Sequence, residues 1–397
     1  MIADPARIRQ HVEGATTLDE VLAVVRDALD SRDLVPGGRL DRVREVCLIE
    51  ETVERDSAQV HAARQTQAML FAAGLAWLAG PRELGGGGRP ADWQLAVDAL
   101  IDQSDLPSRA PLMIGLDIVA PAIAVHGDEE LRRRYLPPIH RGELVGCQLF
   151  SEPGSGSDLA NARASAVRDG DDWIINGQKV WTSMAHVADV GELLVRTDPG
   201  AGKHAGLSML LVDMHAPGVT VRPLKQMTGG AAFNEVFLED VRVPAADMVG
   251  PAGDGWRVAG TSLNSERLAM MRGAGPLTPA VLTRFAELVA RTGATTEDVG
   301  RAVAAALATQ ELATRSARAW GRLEPVAGSV SKLALVDALA RIDDALPALL
   351  GPTLHGGGDD LDDWSLFALG VPGLRLAGGT DEIHLNLVAQ RGLGLPR

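Results

Sequence analysis

Two short stretches carry most of the chemistry this sequence could do. The first, Gln148 to Asp158 (Q-L-F-S-E-P-G-S-G-S-D), opens like a strand and runs into a turn where Pro153, Gly154 and Gly156 leave backbone N–H groups unshielded and near one another. Such donors suit an anion or the polar edge of a ring. The second, Asn176 to Ser183 (N-G-Q-K-V-W-T-S), reads as an Asn-Gly hairpin turn feeding a short strand with one large flat indole, Trp181, beside the hydroxyls of Thr182 and Ser183. A flat apolar face beside donors fits a planar cofactor. The plainer alternative is that Trp181 is a hairpin core aromatic and that Ser151 and Ser157 are ordinary turn residues.

The elements that must position these residues fall into three stretches. From Pro5 to about Leu144 the apolar spacing is helical, as at Leu22, Val25 and Leu29 and at Val97, Leu100 and Ile101. Asp92 before Trp93 reads as an N-cap, Gly85 to Gly88 as a connector, and Gly127-Asp128-Glu129-Glu130 as a capped helix start whose stop is Tyr135-Leu136-Pro137-Pro138. Around Leu144 the period changes to two. Asp169-Gly170 and Asn176-Gly177 read as hairpin turns, and strand-like runs follow at Leu193 to Val195, Leu207 to Asp213, Val219 to Leu224 and Asn234 to Leu238, ending at Val243-Pro244. No helical run interrupts them, and no strand, G-x-G-x-x-G and helix unit is present, which argues against a nicotinamide-binding fold. After Gly250 helical texture returns, with long helices at Ala302 to Trp320 and Ser329 to Leu346 and Pro276, Pro325 and Pro347 at boundaries. The expected class is α+β: an all-α N-terminal domain (1–144), a central antiparallel β domain (145–248) and a C-terminal helical bundle (249–397).

The totals narrow the partners. A chain of 397 residues suits two or three subdomains. A net charge of −14 argues against nucleic acid, because neutralising phosphates needs a basic face. Aromatics are only 4%, so Ala, Leu and Val must fill most of the core. The two cysteines, Cys47 and Cys147, lie far apart without metal-type spacing, so a reducing compartment and no metal are expected. The longest apolar run, Ala68 to Gly80, is short of the roughly 20 residues that span a bilayer, and Met1 to Gln10 lacks a signal-peptide core. The expected location is the cytoplasm, with no membrane contact.

The motifs S-E-P-G-x-G-S-D, K-x-W-T-S and Val241-Arg242-Val243-Pro244, in that order and spacing, resemble the acyl-CoA dehydrogenase family. The P-R-E-L-G-G loop (Pro81 to Gly86) and the Gly127 to Pro138 element extend the likeness over most of the chain. The resemblance implies FAD and an acyl-CoA substrate: a carboxylate removes the α-proton while the β-hydrogen leaves as hydride to the flavin. It implies that Gln148, Phe150 and Ser151 contact the isoalloxazine edge, that Trp181 and Ser183 cover the ring, and that Ser157 and Arg267 lie on the substrate side.

Many members carry the catalytic Glu just before Gly-Thr in the last motif, but here Leu376-Ala377-Gly378-Gly379-Thr380 puts Gly378 there. Other members place the base before an Arg on the first helix after the β domain. Ser265-Glu266-Arg267-Leu268 matches that pattern, which makes Glu266 the expected base, with an Arg-paired helix carboxylate as its plain alternative. The resemblance also implies that Thr380 and Glu382, with Gly356 and Gly357 of the His355-Gly356-Gly357-Gly358 turn, reach the FAD of a neighbouring subunit. The family's R-x-x-F-G is absent from Ala290 to Ala294, and His384 and Leu385 stand where Gln and Arg are usual, His384 being expected on the helix surface. Three activities remain open. One is a dehydrogenase passing electrons to an electron-transferring flavoprotein, as a homo-oligomer or a heteromer with a paralogous subunit. The others are a non-catalytic subunit of a heteromeric dehydrogenase and a flavin monooxygenase or oxidase on the same scaffold.

Overall fold

The structure, a computed structural model, describes residues 4–31, 34, 53–270, 277, 279–293, 296–314, 326–355 and 359–396. The chain forms two compact units. One takes in the N-terminal helices, Glu51–Leu224 and Ala231–Ser262; the other is built chiefly from Leu263–Arg397.

The first unit opens with helices α1 (Pro5–Gly14), α2 (Leu18–Asp30), α3 (Val53–Ala72), α4 (Ala91–Asp102), α5 (Ala120–His126) and α6 (Glu129–His140). Their starts are chemically defined. Thr17 and Glu20 form a capping box on α2, and the Asp128 carboxylate accepts from the Leu131 N–H at 2.8 Å on α6. Val21, Val25, Leu70, Leu78 and Val97 share one core, the inward stripe that the helical spacing requires. Two boundaries differ from the sequence reading. Pro90, not Asp92, precedes the first residue of α4, and Asp92 sits inside the first turn. Helix α6 does not stop at Pro137-Pro138 but runs to His140. A proline removes only its own N–H, and the carbonyls of both prolines accept from Arg141 and Glu143.

The sheet comprises β1 (Gly146–Leu149), β2 (Ser165–Asp169), β3 (Asp172–Ser183), β4 (Val190–Arg196), β5 (Leu207–Asp213), β6 (Val219–Leu224) and β7 (Phe233–Pro244). The order is β1-β4-β2-β3-β7-β6, with β5 on the other edge of β4. Among the described residues the pairings are antiparallel except for β1 with β4 and β2 with β4. β4 and β5 are near-continuous apolar runs and are buried along almost their whole length. One expected turn is absent. Asn176-Gly177 lies inside β3, where the register against β7 shifts. The Asn176 side chain exchanges two bonds with Asp240, at 2.9 and 3.0 Å, and a Cβ on Gly177 would come within 2.5 Å of Ala164. Close approach, rather than a hairpin, is what requires this glycine.

The second unit holds the end of α7 (Gly255–Met270), then α8 (Pro279–Thr292), α9 (Glu297–Thr314), α10 (Ala327–Leu350), α11 (Asp359–Leu376) and α12 (Asp381–Leu387). Pro347 lies within α10 rather than at its end. Aromatic residues gather in this core: Trp364 meets Phe367 and Phe285 edge-on at centroid distances of 5.4 and 6.0 Å, with Leu339, Ile342 and Leu346 around them.

Candidate active site

A buried ion pair joins the two motifs that open the sequence reading. Lys179 of K-V-W-T-S is fully buried, and its Nζ donates to the Phe150 carbonyl (3.0 Å), Glu152 Oε1 (2.9 Å) and the Leu194 carbonyl (2.7 Å). All three ammonium hydrogens therefore have acceptors. Glu152 of S-E-P-G also accepts from the backbone N–H groups of Arg163 (2.7 Å) and Ala164 (2.9 Å). Burial pushes the Glu152 carboxyl up, but Lys179 and these hydrogen bonds outweigh it and hold the group below the usual carboxylate range. Val180 N–H donates to the Ser151 carbonyl at 2.9 Å, so residues 150–152 lie against residues 179–180. Neither Lys179 nor Glu152 was singled out from the sequence. The available signal was two opposite charges, Glu152 inside the first motif and Lys179 inside the second.

This anchor sets the candidate flavin face. Register between β3 and β7 shifts again between Lys179 and Thr182. Within the shift Trp181 has φ +60° and is 60% exposed. A bulky residue with positive φ costs about 1–3 kcal/mol, and here the bulge turns a large apolar ring outward rather than into the core, excluding the hairpin-core alternative. Its one aromatic neighbour among the described residues is Phe233, edge-on at 6.0 Å. Two buried polar atoms have no hydrogen-bond partner among the described residues: Gln148 Nε2 on β1 and Thr182 Oγ1 beside Trp181. An outward flat ring and unsatisfied donors suit the polar edge of a flavin. Phe150 is buried, Ser151 and Ser183 are half-buried, and Ser157 is exposed on the turn. These residues belong to one unit.

The second unit gathers Glu266, Arg267, Lys332, Thr380, Asp381, Glu382 and His384. Glu266 is half-buried on α7 with no hydrogen bond or ion pair among the described residues. Burial raises its pKa, against the lowering effect of Arg267 and Lys332. Arg267 Nε is buried without a hydrogen-bond partner among the described residues. Thr380 caps α12, its hydroxyl accepting weakly from Ile383 N–H at 3.4 Å, and Glu382 is exposed in the first turn. Gly356 and Gly357 lie outside the described residues.

His384 is not on the helix surface. It is fully buried, on the inward stripe beside half-buried Ile383 and Leu387. Its Nε2 lies 3.0 Å from the Gly378 carbonyl, so Nε2 carries the hydrogen and Nδ1, which is buried without a hydrogen-bond partner among the described residues, carries the lone pair. Burial is the largest cause of its lowered pKa, about 4 against an ordinary 6.5. A histidine depressed in the folded state binds its proton more readily when unfolded, so its contribution is intact above pH 6.5 and is lost as pH falls toward 4. Unfolding midpoints of the wild-type protein are expected to fall over that window, with a shallower slope in His384→Gln; identical slopes would contradict it.

Three family matches tile the chain: the acyl-CoA dehydrogenase N-terminal domain over residues 40–143, the middle domain over 147–241 and the C-terminal domain over 253–393. The acyl-CoA dehydrogenase IpdE1 of Mycobacterium tuberculosis is 37% identical over 83% of this chain and 86% of its own length. The acyl-CoA dehydrogenase FadE34 of the same organism is 43% identical over 80% of this chain, a match that takes in only 44% of that longer protein. The solved structure named Tcur3481-Tcur3483 steroid ACAD superposes with a TM-score of 0.74 at 27% identity, covering 96% of this chain and 98% of that one. The chain belongs to the acyl-CoA dehydrogenase family, whose members are FAD-dependent oxidoreductases. No described helix is long and apolar enough to cross a membrane.

Proposed function

We propose that the protein dehydrogenates an acyl-CoA thioester between its α and β carbons, with Glu266 as the base. The observation that carries this reading is a half-buried carboxylate without a hydrogen-bond partner among the described residues, its pKa raised by burial, on the helix that follows the β domain. Such a carboxylate is a stronger base than one in water and takes up the α-proton at its oxygen. FAD, when bound, supplies the hydride acceptor. Trp181 and Ser183 hold its ring, Gln148 and Ser151 meet its edge, and the Lys179 anchor keeps these elements in place; Ser157 and Arg267 lie on the substrate side. Thr380 and Glu382 serve a neighbouring subunit, in a homo-oligomer or in a heteromer with a paralogous chain. The heteromer draws support from Gly378, which removes one of the family's two carboxylate positions, and from a solved relative named for two components. The electron acceptor is an electron-transferring flavoprotein, and the relative's steroid designation makes a bulky polycyclic acyl-CoA the first substrate to try.

Purified protein should be yellow and bleach anaerobically with such a thioester, whereas Trp181→Ala with Ser183→Ala should lose flavin or shift its spectrum. Unchanged flavin content and spectrum in that double variant would place the ring elsewhere. Bleaching that appears only after a paralogous subunit is added would favour the non-catalytic role.

A further inference from the structure

Two strained residues bracket the Thr182-Ser183 pair. Trp181 and Met184 both have φ +60°, a conformation that persists in a residue with a bulky side chain only where the surroundings impose it. Before the pair, the buried Lys179 ion pair imposes it. After the pair, the constraint is Asn234 of β7. Asn234 is fully buried on an inward stripe whose next members are Val236 and Leu238, so it is a polar exception among core residues. Its Nδ2 donates to the Thr182 carbonyl at 3.0 Å, and the same nitrogen lies 3.2 Å from His186 Nδ1. A carbonyl can only accept, which fixes the orientation of the amide, and His186 Nδ1 therefore carries the lone pair. His186 belongs to the short helical turn Ala185–Val187 that follows Met184. One amide thus ties the chain on both sides of Met184, whose own N–H donates to the Ala232 carbonyl at 3.1 Å.

We infer that Asn234 is a positioning residue for the flavin: by holding the Thr182 carbonyl and the His186 ring, its amide presents Ser183 to the cofactor. The inference rests on the reading that Trp181 and Ser183 hold the flavin ring. Thr182 pairs with Asn234 and Ser183 with Phe233 across the ladder. Thr182 is 1% exposed and turns inward with Asn234. Successive strand residues alternate faces, so half-buried Ser183 turns to the other side. The Thr182 carbonyl and the Ser183 N–H belong to one planar peptide, so the Asn234 bond sets the plane from which Ser183 projects. Holding the amide this way has a cost, since Asn234 Oδ1 is buried without a hydrogen-bond partner among the described residues. A leucine of similar volume would suit the apolar stripe better, yet it would donate to neither the Thr182 carbonyl nor His186, and the turn at Met184 could relax.

Three quantities decide it, measured on the full-length protein stripped of flavin and reloaded with FAD: the FAD dissociation constant, the visible absorption of the bound flavin, and the unfolding midpoint of the flavin-free protein. Asn234→Leu should raise the dissociation constant about fivefold or more and shift the long-wavelength flavin band. His186→Leu, which removes one of the two ties, should do the same to a smaller extent, and Asn234→Ala replaces the Leu variant if that fails to fold. In a Ser183→Ala background the further effect of Asn234→Leu on FAD binding should be small, because both substitutions act on one contact. A lowered unfolding midpoint with flavin affinity and spectrum unchanged would make Asn234 merely structural and overturn the inference, as would fully additive effects on FAD binding. Wild-type affinity and spectrum in Ser183→Ala would overturn the placement of the flavin and the inference with it, whereas a clear Ser183→Ala effect without an Asn234→Leu effect would overturn the inference alone.

Discussion

Glu266→Gln should keep its FAD and bind acyl-CoA, yet reduce flavin about 10²-fold or more slowly. The amide preserves shape and most hydrogen-bonding capacity while deleting the site that accepts the proton. A large effect is expected because Gly378 leaves no carboxylate at the family's other position, and because Asp381, the near alternative, is ion-paired with Arg375 through its Oδ2. Burial raises the Glu266 pKa, so wild-type reduction should fall on the acid side of a midpoint above the usual carboxylate range and reach its plateau at higher pH, where the carboxylate is ionised. Stopped-flow traces under anaerobic conditions read both quantities. A Gln variant within a few-fold of wild type at the plateau would remove Glu266 from the mechanism.

Lys179→Met should destabilise the first unit by about 3–5 kcal/mol, the cost of breaking a buried pair from one side. The substitution leaves Glu152 charged and partly unpaired and strips the Phe150 and Leu194 carbonyls of their donor. A loss of that size is a large part of a domain's total of about 5–15 kcal/mol. Adding Glu152→Gln should restore some stability by removing the orphaned charge, although its bonds to Arg163 and Ala164 N–H weaken. Denaturant titration with flavin removed reads the effect without a cofactor contribution. A single-variant loss under about 1 kcal/mol would mean the pair is not the anchor described.

The sequence made the order of elements legible because burial imposes its period. Leu22, Val25 and Leu29 could only be helical, and the apolar run of Leu207 to Asp213 became a strand buried along nearly its whole length. Local rules failed where tertiary partners overrode them. Asn176-Gly177 is a good hairpin turn until Asp240 and Ala164 are placed beside it. Pro137 and Pro138 are good helix stops until residues beyond them supply donors. The residues proposed to face the flavin are legible as motifs, but what holds them is not, since Glu152 and Lys179 meet only after 27 residues have looped back. His384 runs against its motif position because it falls on the inward stripe with Ile383 and Leu387.

The edge of β4 that faces β1 and β2 has a gap in it. Gly146–Leu149 pairs with Val190–Leu193, Ser165 pairs with Arg196, and between them the Leu194 carbonyl is bonded by the Lys179 amine instead of by a strand. The chain leaves the sheet at Phe150 and rejoins it at Ala164, both ends tied to Glu152 or to its lysine. Within that excursion Gly154 and Gly156 have nothing within 4 Å of a would-be side chain. For protein engineering, and for evolutionary drift in length, the stretch after Gly156 is the place to add residues: loop closure grows only slowly with added length, and the bonds between Glu152 and Ser155 lie before it. Residues inserted after Gly156 would reshape the rim of the proposed acyl-CoA site while the sheet beneath kept its register.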